Sequence, residues 1–227
     1  MAKRNSCFYG ISPNKPLPQR LENEYWETMA KLILGHFYPI LFADLSIDGE
    51  SPDLRNEEYG IEVTICNHPK SHELENLYIR KYIYGNSFEK EKSLKRIEKL
   101  GGRVSDYCLA HPGMSRDLSI IYDRIATKTK KLNSTYTVFN SNSLFVFTEL
   151  FIHERELLDL LKEFINISQQ FPIGFNNIFL CCLGGDLYEF NIKLNTYTHH
   201  KNSHRVIQDL AIRARSIIVE KYSGSIS

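Results

Sequence analysis

The chain has 227 residues, 42% of them hydrophobic and 24% charged, the composition of a folded, water-soluble domain rather than of a disordered segment. Its 28 basic and 27 acidic residues leave a net charge of +1, which excludes a globally basic nucleic-acid binder and leaves such binding to local clusters. The amino terminus, Met-Ala-Lys-Arg-Asn-Ser, lacks an apolar stretch and no run of about 18 apolar residues occurs, so neither secretion nor a membrane span is expected. Five irregularly spaced cysteines, an odd number, read as reduced thiols of a cytoplasmic protein.

Residues 1–20, with Pro13, Pro16 and Pro18, read as an irregular lead-in. Leu21 to Phe37 is helical: Tyr25, Trp26, Met29, Ile33 and Phe37 recur at spacings of three and four. Glu22 stands one turn before Trp26, where an acid suits the helix dipole. Pro39 ends this helix, and Ile40 to Ile47 reads as a strand followed by a turn at Asp48-Gly49. From His72 to Leu100 the chain is polar and helix-prone, divided at Gly85-Asn86 and stopped at Gly101-Gly102. The mixed lysines and glutamates of its second half read as a solvated face. A short strand within Val104 to Ala110 precedes a helix capped by Ser115 or Asp117 and running to Leu132. Leu118, Ile121, Tyr122, Ile125 and Leu132 form its buried stripe; Lys128 lies at the stripe's edge, and Lys130 and Lys131 lie further toward solvent. Then come a strand at Ser143 to Leu150 and a helix from about Glu154 to Ile167. A hairpin of Asn177 to Leu183 and Asp186 to Ile192, turning at Gly184-Gly185, and an amphipathic helix from His204 to Tyr222 complete the order.

The chemistry is expected in Ser51 to Cys66. A strand reading Ile-Glu-Val-Thr-Ile puts Ile61, Val63 and Ile65 on one face and Glu62 and Thr64 on the other. The turn-prone Asn56 to Gly60 lets the chain double back, so that Asp53 and Glu62 can meet across a hairpin. Two carboxylates at a sheet edge make a hard-oxygen site suited to Mg2+. The bland alternative is a hairpin in which Asp53 caps a turn and Glu62 faces solvent.

Pro52-Asp53 followed by Ile61-Glu62-Val63-Thr64, in the order helix, strand, acidic hairpin, helix, strand, resembles the PD-(D/E)XK, or restriction-endonuclease-like, nuclease superfamily. The resemblance implies an α/β (α+β) fold with an αβββαβ core over about 21–150, a helical insertion at 67–114 and a strand-helix extension at 151–227, all in a single domain. It implies that Asp53, Glu62 and the Val63 carbonyl bind Mg2+, with Mn2+ as a substitute, and that a helical acid, Glu22, can add a ligand. The reaction implied is hydrolysis of a DNA phosphodiester, with RNA as the second substrate class, in restriction or another defence against foreign DNA. A homodimer would suit cutting of both strands.

The departure is Thr64, which stands where the superfamily has lysine; a neutral hydroxyl supplies no positive charge to the phosphate. Three accounts are open: the position tolerates another residue, a lysine is recruited from the following core helix, for which Lys128 is the candidate, or the site binds nucleic acid or protein without cutting. Elsewhere, Cys66, His68, His72, Cys108 and His111 have zinc-ligand chemistry without a double Cys-x-x-Cys, and read as surface histidines and core thiols. His199-His200 and His204, beside Lys201 and Arg205, offer a phosphate-contacting patch, against the simpler reading of an exposed polar loop.

Overall fold

The structure is a computed structural model and describes residues 17–47, 51–67, 69–105, 108–110, 117–182, 186–201 and 203–223. The lead-in up to residue 16, the Asp48-Gly49 and Gly184-Gly185 turns, Ser115, His68, His111 and the side chains of His72 and Cys108 lie outside the described residues.

The chain is mixed α/β, built on a seven-stranded mixed sheet. Helix α1 (Glu22–Phe37) and a single turn α2 (Pro39–Phe42) lead into β1 (Ser46–Ile47), β2 (Leu54–Arg55) and β3 (Tyr59–Ile65). Helices α3 (Pro69–Asn76), continuing as wider turns over Leu77–Ile83, and α4 (Ser87–Lys99) follow, with a separate hairpin of β4 (Arg103–Ser105) and β5 (Cys108–Ala110). Then come α5 (Ser119–Leu132), β6 (Ser141–Thr148), α6 (Leu157–Gln169), β7 (Asn177–Cys182), β8 (Leu187–Asn191), β9 (Thr196–His200) and α7 (His204–Ser223). The sheet order is β1-β2-β3-β6-β7-β8-β9, parallel at β3/β6 and β6/β7 and antiparallel elsewhere. Among the described residues, 69–110 give no strand to this sheet, whereas β7 to β9 extend it directly.

Strands β6 and β7 are buried on both faces, and strict alternation divides their side chains between two cores. Leu144, Val146, Ile178 and Leu180 meet Ile121, Ile125, Leu160 and Phe164 of α5 and α6. Phe145, Phe147, Phe179 and Cys181, with Ile61 and Val63, meet Met29, Ala30, Ile33 and Leu34 of α1 and Ile207 and Ala214 of α7. Asp117 accepts the Ser119 N–H at the start of α5, and Asn86 and Glu89 close a capping box on α4. No helix among the described residues is long and apolar enough to cross a membrane.

Two segments differ from the sequence reading. Ile40 to Ile47 is not one strand: Pro39 opens a helical turn, its fixed φ suiting the first helical position, and only Ser46–Ile47 pairs in the sheet. Ile40 is 95% exposed, so its apolar character there does not report burial. The expected polar loop around His199-His200 is instead strand β9, paired along its length with β8.

Gly60 is fixed by close approach: a Cβ there would stand 2.5 Å from the Phe139 ring and 2.9 Å from Pro52. Gly60→Ala is therefore expected to lower stability by about 1–3 kcal/mol through overpacking, read as a lower urea midpoint at unchanged m-value.

Candidate metal and phosphate site

The site forms where β2 stops. Leu54 pairs with Ile61 and Arg55 with Gly60, so Asp53 lies opposite Glu62 just past the end of the two-residue strand. Beyond that point the edge of β3 lacks its ladder partner, and the Asp53 side chain replaces it: Oδ2 accepts the Val63 N–H at 2.7 Å. A strand residue's N–H and C=O point to the same edge, so the Val63 carbonyl faces this side as well.

Alternation sends Glu62 and Thr64 to the α5 face, and both are buried, at 4% and 7% exposure. Glu62 therefore does not face solvent. Its Oε1 receives two donors, Lys128 Nζ at 2.5 Å and the Tyr136 hydroxyl at 2.7 Å, while Oε2 is buried without a hydrogen-bond partner. Lys128 reaches it because it flanks the α5 stripe of Ile121, Ile125, Thr129 and Leu132, with its stem packed and only 14% of its side chain exposed. Tyr136 comes from the loop after α5, and its phenol is held protonated by burial and by the Glu62 carboxylate.

Asp53, Glu62, Val63, Thr64 and Lys128 line one cleft of about 260 Å³ with Asn23, Trp26 and Glu27 of α1, Ile65 of β3, and Arg124 of α5. The structure thus brings together Asp53, Glu62, Val63, Thr64 and Lys128. Glu22 does not line the cleft; the acid that α1 contributes is Glu27. The two positions differ by five residues, about 7.5 Å along the helix axis and about 140° around it. Glu27 stands beside Trp26, one residue before the buried Thr28, and apolar periodicity does not single it out.

Burial, and then repulsion from Glu62, raise Asp53 from its ordinary 3.8 to about 6, against the opposing Val63 hydrogen bond and the Lys128 charge. Glu27 rises to about 7, through burial and then the charges of Asp53, Glu24 and Glu62. Acids that resist ionising together, recessed between cationic and aromatic walls, form a negative pocket suited to a cation. Among the described residues no group of three or more His, Cys, Asp or Glu side chains is arranged to hold a metal ion.

The other constellations are engaged in structure. His200 Nε2 lies 2.8 Å from the Tyr38 hydroxyl, which donates to Glu189, and His199 stacks on Tyr188 at 4.4 Å. Lys201 pairs with Glu154. Cys66 is fully buried, and burial pushes its thiol up to about 11. Comparison with protein-family models, curated proteins and solved structures finds no match for the chain.

Proposed function

We propose that the protein is a Mg2+-dependent DNA endonuclease of the PD-(D/E)XK type, with Mn2+ as an alternative ion and defence against foreign DNA as its setting. The observation that carries this reading is the meeting of Asp53, Glu62 and Lys128 at the stretch of β3 edge that β2 leaves uncovered. The order α1, β1–β3, α5, β6, with α3 to β5 interposed, supports it.

The residues fit the ion. The Asp53 carboxylate, the orphaned Glu62 Oε2 and the Val63 carbonyl are hard oxygen donors, and Mg2+ needs only one or two carboxylates because it keeps several waters. Burial and then mutual repulsion raise Asp53 and Glu27, and the repulsive part is the field that a divalent charge relieves. When bound, Mg2+ supplies a water of lowered pKa and neutralises the scissile phosphate. The Val63 N–H orients Asp53, and Tyr136 and Lys128 hold Glu62 by Oε1, leaving Oε2 without a protein partner. Lys128 brings the positive charge that Thr64 lacks and stands where it can meet a phosphate oxygen. That approach favours the cutting reading over a module that only binds.

Purified protein with Mg2+ or Mn2+ should cleave at least one of plasmid, linear and single-stranded DNA, and Asp53→Ala and Glu62→Ala should each abolish cleavage. Intact DNA throughout, with both variants matching the parent in Mn2+ binding by calorimetry, would overturn the proposal.

A further inference from the structure

The walls of the cleft differ in chemistry. One is the α1 face Asn23, Trp26 and Glu27, at helical spacing; the other is Arg124 and Lys128, one turn apart on α5. Asp53 and Glu62 also line the cleft, Glu62 with 4% exposure. Trp26 is half-buried, seated on Phe147 at 4.8 Å between ring centroids and on Tyr25 at 5.0 Å, so the indole is fixed in place, and the residue lines the cleft. An indole beside acids is neither an oxygen ligand for Mg2+ nor a positive charge for a phosphate, but its flat face can serve as a platform for a base.

The volume sets the size of the occupant. About 260 Å³ is below the roughly 300–1,000 Å³ of drug-sized ligand sites and suits a single nucleotide. In an intact duplex the bases are stacked inside, so a duplex has no base face to offer Trp26, and its rigid backbone would have to reach recessed carboxylates. An unpaired nucleotide brings both parts at once: a base for Trp26, with the Asn23 amide near its edge, and a phosphate for the cations of α5.

Resting on the nuclease reading, we infer that the cleft receives an unpaired DNA nucleotide, its base stacked on Trp26 and its phosphate between the carboxylates and Arg124 and Lys128. Single-stranded segments are then the preferred substrate. Arg124 acts as a phosphate clamp one helical turn from Lys128, a role the sequence did not single out.

Trp26 is the chain's single tryptophan, so its fluorescence reports on the cleft without any need for turnover. The full chain is titrated in Ca2+, a hard cation that can neutralise the carboxylates, with an oligothymidylate of about 12 nucleotides and, at the same salt, with a blunt duplex. The expected result is saturable quenching by the single strand, with an affinity at least about tenfold tighter than for the duplex. By anisotropy of a labelled strand, Trp26→Ala should weaken binding about tenfold and Trp26→Phe by less than about threefold. Arg124→Gln should weaken binding and reduce the salt slope by about one. The parent titration decides the matter whether or not the Trp26 variants fold. Equal or tighter duplex binding, single-strand binding that leaves Trp26 fluorescence unchanged, or binding of neither would overturn the inference. Duplex cut in Mg2+ while single strand stays intact would also overturn it, with the nuclease reading standing. Quenching by single strand without cleavage of any DNA would instead remove the nuclease reading and keep the nucleotide site.

Discussion

Lys128→Ala is expected to reduce cleavage by on the order of a hundredfold to a thousandfold, the range seen when a single group stabilising transition-state charge is removed. It should also destabilise the metal-free protein. The ammonium lies 2.5 Å from Glu62 Oε1, with side-chain exposures of 14% and 5% for the two partners, so the substitution leaves a carboxylate in the interior with Tyr136 as its remaining donor. Removing one partner of such a pair costs about 3–5 kcal/mol, a loss of roughly 10 °C in Tm for a chain of this length. Because a structural role alone would also lower activity, the two effects need separating. Lys128→Met combined with Glu62→Gln removes both charges and should recover most of the stability, which assigns the thermal loss to the unpaired carboxylate, while cleavage stays lost through the missing metal ligand as well. Recovery of both would make the pair structural only. Full cleavage by Lys128→Ala would take that residue out of the mechanism and leave the nuclease reading to Asp53 and Glu62.

How far this site could be read from sequence follows from which residues act through local pattern. Glu62 was visible because a charge inside Ile-Glu-Val-Thr-Ile breaks a period-two apolar strand, and Asp53 because the hairpin register needs only a short turn to bring it opposite. Lys128 was visible at the edge of a regular 3.6-residue stripe, although the 66 residues separating it from Glu62 carry no pairing signal of their own. Glu27 was not visible, since a helix stripe ranks residues by apolar periodicity, and the face turned to the cleft holds Asn23, Trp26 and Glu27. Tyr136 lies in a loop, where no period marks a side chain that turns inward. The fold shows the same division. The continuous apolar runs of β6 and β7 announce central strands, whereas β9 reads Thr-Tyr-Thr-His-His and is specified by its partner β8 rather than by its own composition. The mostly apolar eight-residue run Ile40 to Ile47 is apolar for different reasons along its length: Phe42 and Leu45 enter the core, while Ile40 faces solvent.

Asp53→Asn should raise the stability of the metal-free protein at pH 8 while abolishing cleavage and the response to Mg2+. The sign follows from the raised acids. Asp53 is pushed from 3.8 to about 6 and Glu27 from 4.5 to about 7, so each holds its proton more tightly folded than unfolded. Their contribution to stability is fully present below about pH 4 and is lost as the pH rises through about 6 to 7, where the folded groups ionise against one another. An amide at position 53 carries no charge to repel Glu62 and Glu27, and its oxygen can still accept the Val63 N–H. At pH 8 the gain should be on the order of 5 °C in Tm, less than the full shift implies because both groups keep some solvent contact. Millimolar Mg2+ should produce a comparable rise in the parent by binding the folded state alone, and none in Asp53→Asn. For the same reason cleavage by the parent should be weak at pH 5 and rise through pH 6 to 7, since the ion competes with the protons on these carboxylates. Differential scanning fluorimetry across pH 4 to 8, with Mg2+ and with EDTA, measures all of it. A parent whose Mg2+ response is the same at pH 5 and pH 8, or an Asp53→Asn variant that responds equally, would place the ion away from Asp53.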